Sequence, residues 1–266
     1  MARFKLTIEY EGTRYSGWQF QKNSKTIQGK LLEAVKEIFK NQKIELYGSG
    51  RTDAGVHALR QTAHLDVTTM LAPEIIRMKM NDLLPADINI LEVEKASPKF
   101  HARHDAKQRS YLYQISRRRT AFGKPFVWWI KDELHLNRMK NAAALFIGMH
   151  DFQSFADKDD EEKSTKVLIN NITVEEHGAL ILIRIVGSHF LWKMVRRIVG
   201  VLAEAGRGKL AEADIHRFLE EYSSEPAKLT APPSGLFLEK IYYTESAAEN
   251  TTEPFLNISA VTFHRK

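Results

Sequence analysis

The 266-residue chain contains no cysteine. That absence excludes disulfides, thiolate metal sites and cysteine nucleophiles, and it suits a reducing compartment. No apolar run approaches the length needed to span a bilayer. No secretory signal precedes the first alternating segment, Phe4, Leu6, Ile8 and Tyr10, so a cytoplasmic protein without membrane contact is expected. Walker A, H-E-x-x-H and dinucleotide-binding G-x-G-x-x-G patterns are all missing. Charge of one sign is not abundant either. The 39 basic and 33 acidic residues leave a net charge of +6, an excess that favours a polyanionic partner only weakly. The hydrophobic fraction of 43% and charged fraction of 27% are those of an ordinary globular protein. The length allows one large domain or two smaller ones.

What is present concentrates in one stretch, Gly48-Ser49-Gly50-Arg51-Thr52-Asp53-Ala54-Gly55-Val56-His57-Ala58. Ile44 and Leu46 alternate with Glu45 and Tyr47 before it. Ala63, Leu65 and Val67 alternate with Thr62, His64 and Asp66 after it, so the pattern predicts a strand, a tight loop and a returning strand. Three glycines within eight residues allow positive φ and close approach of backbone to a ligand. Arg51 and Asp53 are two apart and point to one side of an extended segment. A guanidinium–carboxylate pair there favours an ionised carboxylate fixed in direction, which suits a nucleophile better than a general acid. An ordinary Asp-Ala-Gly turn with a surface ion pair fits the same residues.

The remaining periodicity repeats one order of elements. Helix follows from about Thr26, with Ile27, Leu31, Val35, Ile38 and Phe39 near one face, and Pro73 opens a second with a stripe of Ile76, Met80, Leu83 and Leu84. Ile88, Ile90, Leu91 and Val93 then give a strand, so the first half reads β-α-β-β-α-β with the Asp53 loop between its two middle strands. Residues 95–108 form a polar, basic connector. The second half predicts a strand with Tyr111, Tyr113 and Ile115 on one face, then a helix from Asn137 carrying Met139, Ala142, Ala143, Phe146 and Ile147. Ile172 and Val174 lead to a hairpin turn at His177-Gly178, and Leu180, Leu182, Ile183 and Ile185 return. A long helix from about Phe190 to Ala205, a shorter one with Ile215, Phe218, Leu219 and Tyr222, and a strand over residues 236–242 complete it. The expected fold is α+β: two ferredoxin-like β-α-β-β-α-β halves, residues 1–105 and 106–244, sharing a continuous, mainly antiparallel sheet with a central cleft. The acidic run over residues 157–166 is expected to be a solvated loop. A polar tail over residues 245–266 either docks or frays.

Several stretches could serve the Asp53 loop. Tyr10-Glu11-Gly12-Thr13-Arg14-Tyr15-Ser16-Gly17-Trp18-Gln19 interleaves aromatic and basic residues between glycines. Arg109, Tyr111 and Tyr113 share a strand face, and an aromatic ring beside cations is what a flipped-out base stacks on. Tyrosines of a strand also commonly face the core, and Tyr113 is read so. Lys193, Arg196, Arg197 and Gly200, spaced at helical intervals, share a face apart from the stripe of Leu191, Met194, Val195, Ile198 and Leu202. Asp53, His57 and His64 are metal-ligand types, but their spacing across a loop and strand is a weak ligand pattern.

The segment from Gly50 to Ala58 resembles the signature of the tRNA pseudouridine synthase A family. The resemblance extends over residues 3 to about 243, taking in the 10–19 loop, Met194-Val195-Arg196 through Gly200, and Ala231-Pro232-Pro233-Ser234-Gly235-Leu236. Trp192-Lys193 departs from the commoner bacterial form, which is histidine-rich. The resemblance implies a duplicated fold around a shared sheet with an RNA-binding cleft, and tRNA as partner. It also implies a homodimer, and isomerisation of uridines in the anticodon stem-loop (positions 38–40) to pseudouridine. Neither cofactor nor metal is expected, since the reaction involves no redox change and no group donor. By the same resemblance Asp53 is the nucleophile, Tyr111 contacts the target base, and Arg196 joins Arg51 in holding the aspartate. Attack at C6 of the base and at C1′ of the ribose both remain open. So does a non-catalytic RNA-binding protein of the same fold.

Overall fold

The structure is a computed structural model and describes residues 1–40, 42–157, 164–244 and 252–255. Its elements begin β1 (Ala2–Tyr10), α1 (Ile27–Ile38), β2 (Glu45–Gly48), β3 (His57–Val67), α2 (Pro73–Leu83) and β4 (Ile88–Ala96). They continue β5 (Gln108–Ser116), β6 (Trp128–Trp129), α3 (Leu136–Ala144), β7 (Gly148–Asp151), β8 (Lys166–His177) and β9 (Leu180–Gly187). Last come α4 (Met194–Gly206), α5 (Glu212–Glu220), α6 (Glu225–Lys228) and β10 (Leu236–Tyr242). The α+β class is as expected. The chain forms two compact units, one from residues 1–107 with 237–244, the other from residues 108–236 with tail residues 252–255.

In the first unit the strand order is β4-β1-β3-β10. β1 runs antiparallel to both β3 and β4, with Phe4 opposite Leu65 and Leu6 opposite Ala63. Alternation buries Phe4, Leu6, Ile8 and Tyr10 together with Ile27, Leu31 and Val35 of α1 and Ile76 and Met80 of α2. Each such apolar side chain contributes about 1.5–3 kcal/mol when fully buried. Thr26 caps α1, its hydroxyl accepting the Gly29 N–H at 3.2 Å, and Pro73 starts α2. Leu83, expected in the apolar stripe of α2, lies at the end of the helix and is half-exposed. β2 and β10 lie along the same edge of β3: β2 antiparallel opposite Ala63–Asp66, β10 parallel opposite His57 and Ala58. β10, the last strand among the described residues, is therefore at the exit of the Asp53 loop.

In the second unit the order is β5-β9-β8-β7, all antiparallel, with β6 parallel to β5. Every residue of β9 is buried. β6 and β7 are additional to the expected elements. The latter is Gly-Met-His-Asp, without apolar alternation, and exists through its backbone pairing to β8. α4 begins at Met194 rather than Phe190, because Lys193 holds a left-handed backbone with φ +64, and Tyr222 lies beyond α5 and is exposed. Ile147 likewise lies beyond α3 and is exposed. The described tail residues dock on this unit: Thr252 is buried with its hydroxyl 3.0 Å from that of Thr173, and the Phe255 N–H donates to Gln114 at 2.8 Å. Most of the acidic run, residues 158–163, lies outside the described residues, as do residues 245–251 and 256–266 of the tail.

Candidate active site

The loop carrying Asp53 is held by backbone and side-chain hydrogen bonds together. Its entrance is fixed by Ser49, fully buried, whose N–H donates to the Thr62 carbonyl at 2.8 Å and whose hydroxyl donates to Gln61 at 2.6 Å. Gln61 in turn donates to the Gly50 carbonyl at 3.1 Å. Asp53 closes a turn, its carbonyl accepting the Val56 N–H at 3.1 Å, and Gly55 supplies the positive φ of +79.

The loop over residues 10–18 clasps that turn. The Tyr10 and Thr52 hydroxyls are 2.8 Å apart in the interior, and the Trp18 N–H donates to the Thr52 carbonyl at 3.0 Å. Gly12 donates its N–H to His57 Nδ1 at 3.0 Å, so that nitrogen carries no proton. Two glycines are required for the approach. A Cβ on Gly12 would lie 1.9 Å from the Val56 carbonyl oxygen, and one on Gly17 (φ +88) would lie 2.5 Å from that of Thr52. The clasp is itself anchored: Tyr15 donates to Asp87 at 2.5 Å, and burial with that carboxylate raises the phenol well above its ordinary value. Thr52 and His57 are thereby buried, Asp53 is half-buried and Arg51 is exposed. A carboxylate on a fixed backbone with its side chain within reach of solvent can meet a substrate without the loop reorganising.

The second unit places Tyr111 and Arg196. Tyr111, half-buried on β5, meets Phe190 edge to face with ring centroids 5.0 Å apart. Tyr113 is fully buried, donates to the Pro232 carbonyl at 2.8 Å and has its pKa pushed far up by burial, which keeps the phenol neutral, in line with its core assignment. Arg196 and Ala231 exchange two hydrogen bonds, Arg196 Nε to the Ala231 carbonyl at 2.7 Å and the Ala231 N–H to the Arg196 carbonyl at 3.0 Å. The 231–235 segment is pinned between α4 and β5: a Cβ on Gly200 would meet the Leu229 oxygen at 1.7 Å, and one on Gly235 the Tyr113 ring at 2.7 Å.

The basic stripe expected on α4 is not a solvated face. Lys193 precedes the helix, Arg197 is 5% exposed, and both pair with Asp157. Asp157 therefore belongs to a folded ion-pair cluster rather than to a solvated loop. Burial alone would raise its pKa, but the Lys193 hydrogen bond and the Arg197 charge outweigh burial and hold the carboxyl below its ordinary value, ionised. Its interest for the site was hidden by the acidic neighbours. The glycine spacing 12 and 17 was the available signal for the clasp. His57 and His64 each have Nδ1 occupied by a backbone N–H, from Gly12 and Ala102 respectively, and each is 1% exposed, an arrangement that serves packing rather than metal ligation. Among the described residues no group of three or more His, Asp or Glu side chains is placed to hold a metal ion.

A family model described as tRNA pseudouridine synthase matches residues 6–105 and 142–244, which include the Asp53 loop, its clasp and the Arg196–Ala231 pair. The chain belongs to that family. Curated members of the tRNA pseudouridine synthase family align along nearly all of their length. The "tRNA pseudouridine synthase A" of Thermoanaerobacter sp. (strain X514) is 38% identical over 247 residues, covering 91% of this chain and 100% of the relative. The "tRNA pseudouridine synthase A 2" of Clostridium tetani is 39% identical over 248 residues, with the same coverage. The "tRNA pseudouridine synthase A 1" of Protochlamydia amoebophila is 38% identical over 90% of this chain and 96% of its own. A solved Cbf5–Nop10–Gar1 complex superposes at a TM-score of 0.36 and 10% identity over 75% of this chain and 53% of its own, too distant to carry an argument.

Proposed function

We propose that this protein isomerises uridines of tRNA to pseudouridine with Asp53 as nucleophile. The observation that carries the reading is the Asp53 turn itself, a carboxylate half-open to solvent on a backbone clamped from the 10–18 loop. Family membership and relatives named tRNA pseudouridine synthase A at 38% identity support the activity, an isomerisation, over a non-catalytic RNA-binding role.

In the reaction the N1–C1′ bond breaks, C1′ joins C5, the C5 proton leaves to solvent and N1 takes one up. Atoms and electrons balance without an external donor or oxidant. In the proposed mechanism the target uridine leaves its stack and lies against Tyr111, whose ring is held on edge by Phe190. Asp53 attacks the base at C6 or the ribose at C1′, and Arg51 and Arg196 hold its carboxylate in the attacking direction. Arg196 is suited to this part because its backbone and Nε are both tied to Ala231, which fixes where the guanidinium can lie. The substrate uridines are those of the anticodon stem-loop, positions 38–40, and the working form is a cytoplasmic homodimer. No helix among the described residues is long and apolar enough to cross a membrane.

Mapping pseudouridine in tRNA from cells lacking the protein tests the reading. Loss of the modification at anticodon-stem positions, restored by the wild-type gene and not by Asp53→Asn, is the expected result. An unchanged modification map would overturn it. Sedimentation of the purified protein tests the dimer.

A further inference from the structure

The connector from Ser188 to Lys193, between β9 and α4, is tied down at three points. Arg109 donates from Nη1 to the Ser188 carbonyl at 2.7 Å. Phe190 packs on Tyr111. The Asp157 N–H donates to the Trp192 carbonyl at 3.1 Å. The next residue, Lys193, is the one residue other than glycine with positive φ among the described residues, a conformation disfavoured for any side chain with a Cβ. Asp157 holds it there: Oδ2 accepts from Lys193 Nζ at 2.5 Å, and Oδ1 accepts from Arg197, in the first turn of α4. Arg197 is buried with its Nε unpartnered, so Asp157 supplies the charge that makes its burial tolerable.

The consequence of this strained, doubly paired turn is the placement of one side chain. Leu191 and Met194 enter the core, whereas Trp192 between them remains 47% exposed, with Lys193 Nζ 5.1 Å from its ring centroid. A backbone outlier maintained by two ion pairs that ends in an exposed indole, two residues from the ring that touches Tyr111, requires a use. We propose that Trp192 is a stacking platform for a tRNA base flanking the target uridine, and that Asp157 is the positioning residue that presents it. Indole faces stack on any base, so an exposed Trp192 ring suits a base of any identity. The inference rests on the assignment of tRNA as substrate.

The test compares Trp192→Ala, Trp192→Phe, Asp157→Asn and the Asp157→Asn/Trp192→Ala double variant with the wild type. Unmodified tRNA transcript is the ligand, and circular dichroism confirms folding. Filter binding and tritium release from C5-tritiated uridine are read together. Trp192→Ala weakens tRNA binding about 5- to 150-fold, the range for loss of one base stack, with the loss in KM and Kd exceeding that in kcat. Trp192→Phe restores most of it. Asp157→Asn reproduces part of it, and the double variant is no worse than Trp192→Ala, because Asp157 acts through the indole. A folded Trp192→Ala that binds tRNA within about twofold of wild type overturns the proposal. So does a change in sedimentation with tRNA binding intact, which would place Trp192 between two copies of the chain. A wild type that binds tRNA but releases no tritium would instead contradict the catalytic reading, leaving the binding comparison to decide on Trp192.

Discussion

The backbone N–H of Gly12 donates to His57 Nδ1 at 3.0 Å, and the His57 ring stacks on Phe237 with centroids 4.8 Å apart. One buried imidazole thus joins the loop after β1, the start of β3 and β10. These contacts help to locate the turn that carries Asp53.

Gly12→Ala therefore acts on Asp53 without touching it. The added Cβ would sit 1.9 Å from the Val56 carbonyl oxygen, backbone against backbone, so the clasp must move. A stability loss of about 1–3 kcal/mol is expected, as for other overpacked sites. Activity should fall further than the folded fraction does. Calorimetry alongside single-turnover kinetics checks this, and wild-type kinetics in the variant would show that the clasp is dispensable.

Gly200→Ala is the equivalent change on the Arg196 side. Its Cβ would meet the Leu229 oxygen at 1.7 Å and lift the following segment, including Ala231, away from α4. A similar loss of about 1–3 kcal/mol is expected. Broken Arg196–Ala231 hydrogen bonds should appear as lost turnover at temperatures where the variant is still folded.

Arg196→Ala should reduce turnover more than tRNA affinity, since the side chain is assigned to the aspartate. Arg196→Lys should recover little, because an ammonium cannot reproduce the planar Nε donor to Ala231. Equal losses in kcat and affinity would reduce Arg196 to a phosphate contact.

Stability should fall between pH 6.5 and about 4 on account of His64. Burial chiefly, reinforced by Arg3 and His101 and opposed by Asp66 and Glu45, lowers this imidazole from 6.5 to about 4. Its Nδ1 accepts the Ala102 N–H at 3.1 Å, a bond the protonated ring cannot make. The unfolded chain therefore binds the proton first as the pH falls. The contribution is complete above 6.5, declines through the window and is gone below about 4. His101, lowered by its own burial, adds in the same direction. Urea titrations at neutral pH and at about pH 5 should show the slope, and His64→Asn, which keeps an acceptor and does not titrate, should flatten it. Equal slopes in the two proteins would contradict the assignment.

The order of elements was readable wherever burial imposes a period. β1 alternates because one face is core, and α1 and α2 begin at a threonine cap and a proline. The Asp53 loop was readable from its glycines. What could not be read depends on contacts distant in sequence. Phe190 and Leu191 continue the apolar pattern of α4, yet the helix starts after Lys193, whose left-handed turn is held by Asp157, 36 residues earlier. Arg197 looks like a surface cation until the same aspartate is placed beside it in the interior. β7 pairs through backbone alone, and nothing in Gly-Met-His-Asp announces a strand. The clasp of Gly12 and Gly17 on the Asp53 turn required knowing which backbones approach, a property glycine permits and does not specify.

The most direct measurement is tritium release from an unmodified tRNA transcript carrying C5-tritiated uridine, with wild type and Asp53→Asn in parallel and no metal or cofactor added. Asp53→Asn keeps the carboxylate's shape without its charge and leaves the backbone clasp intact, so the account predicts normal folding and tRNA binding with release abolished. Release by the folded Asp53→Asn protein at a rate near that of wild type would contradict the account.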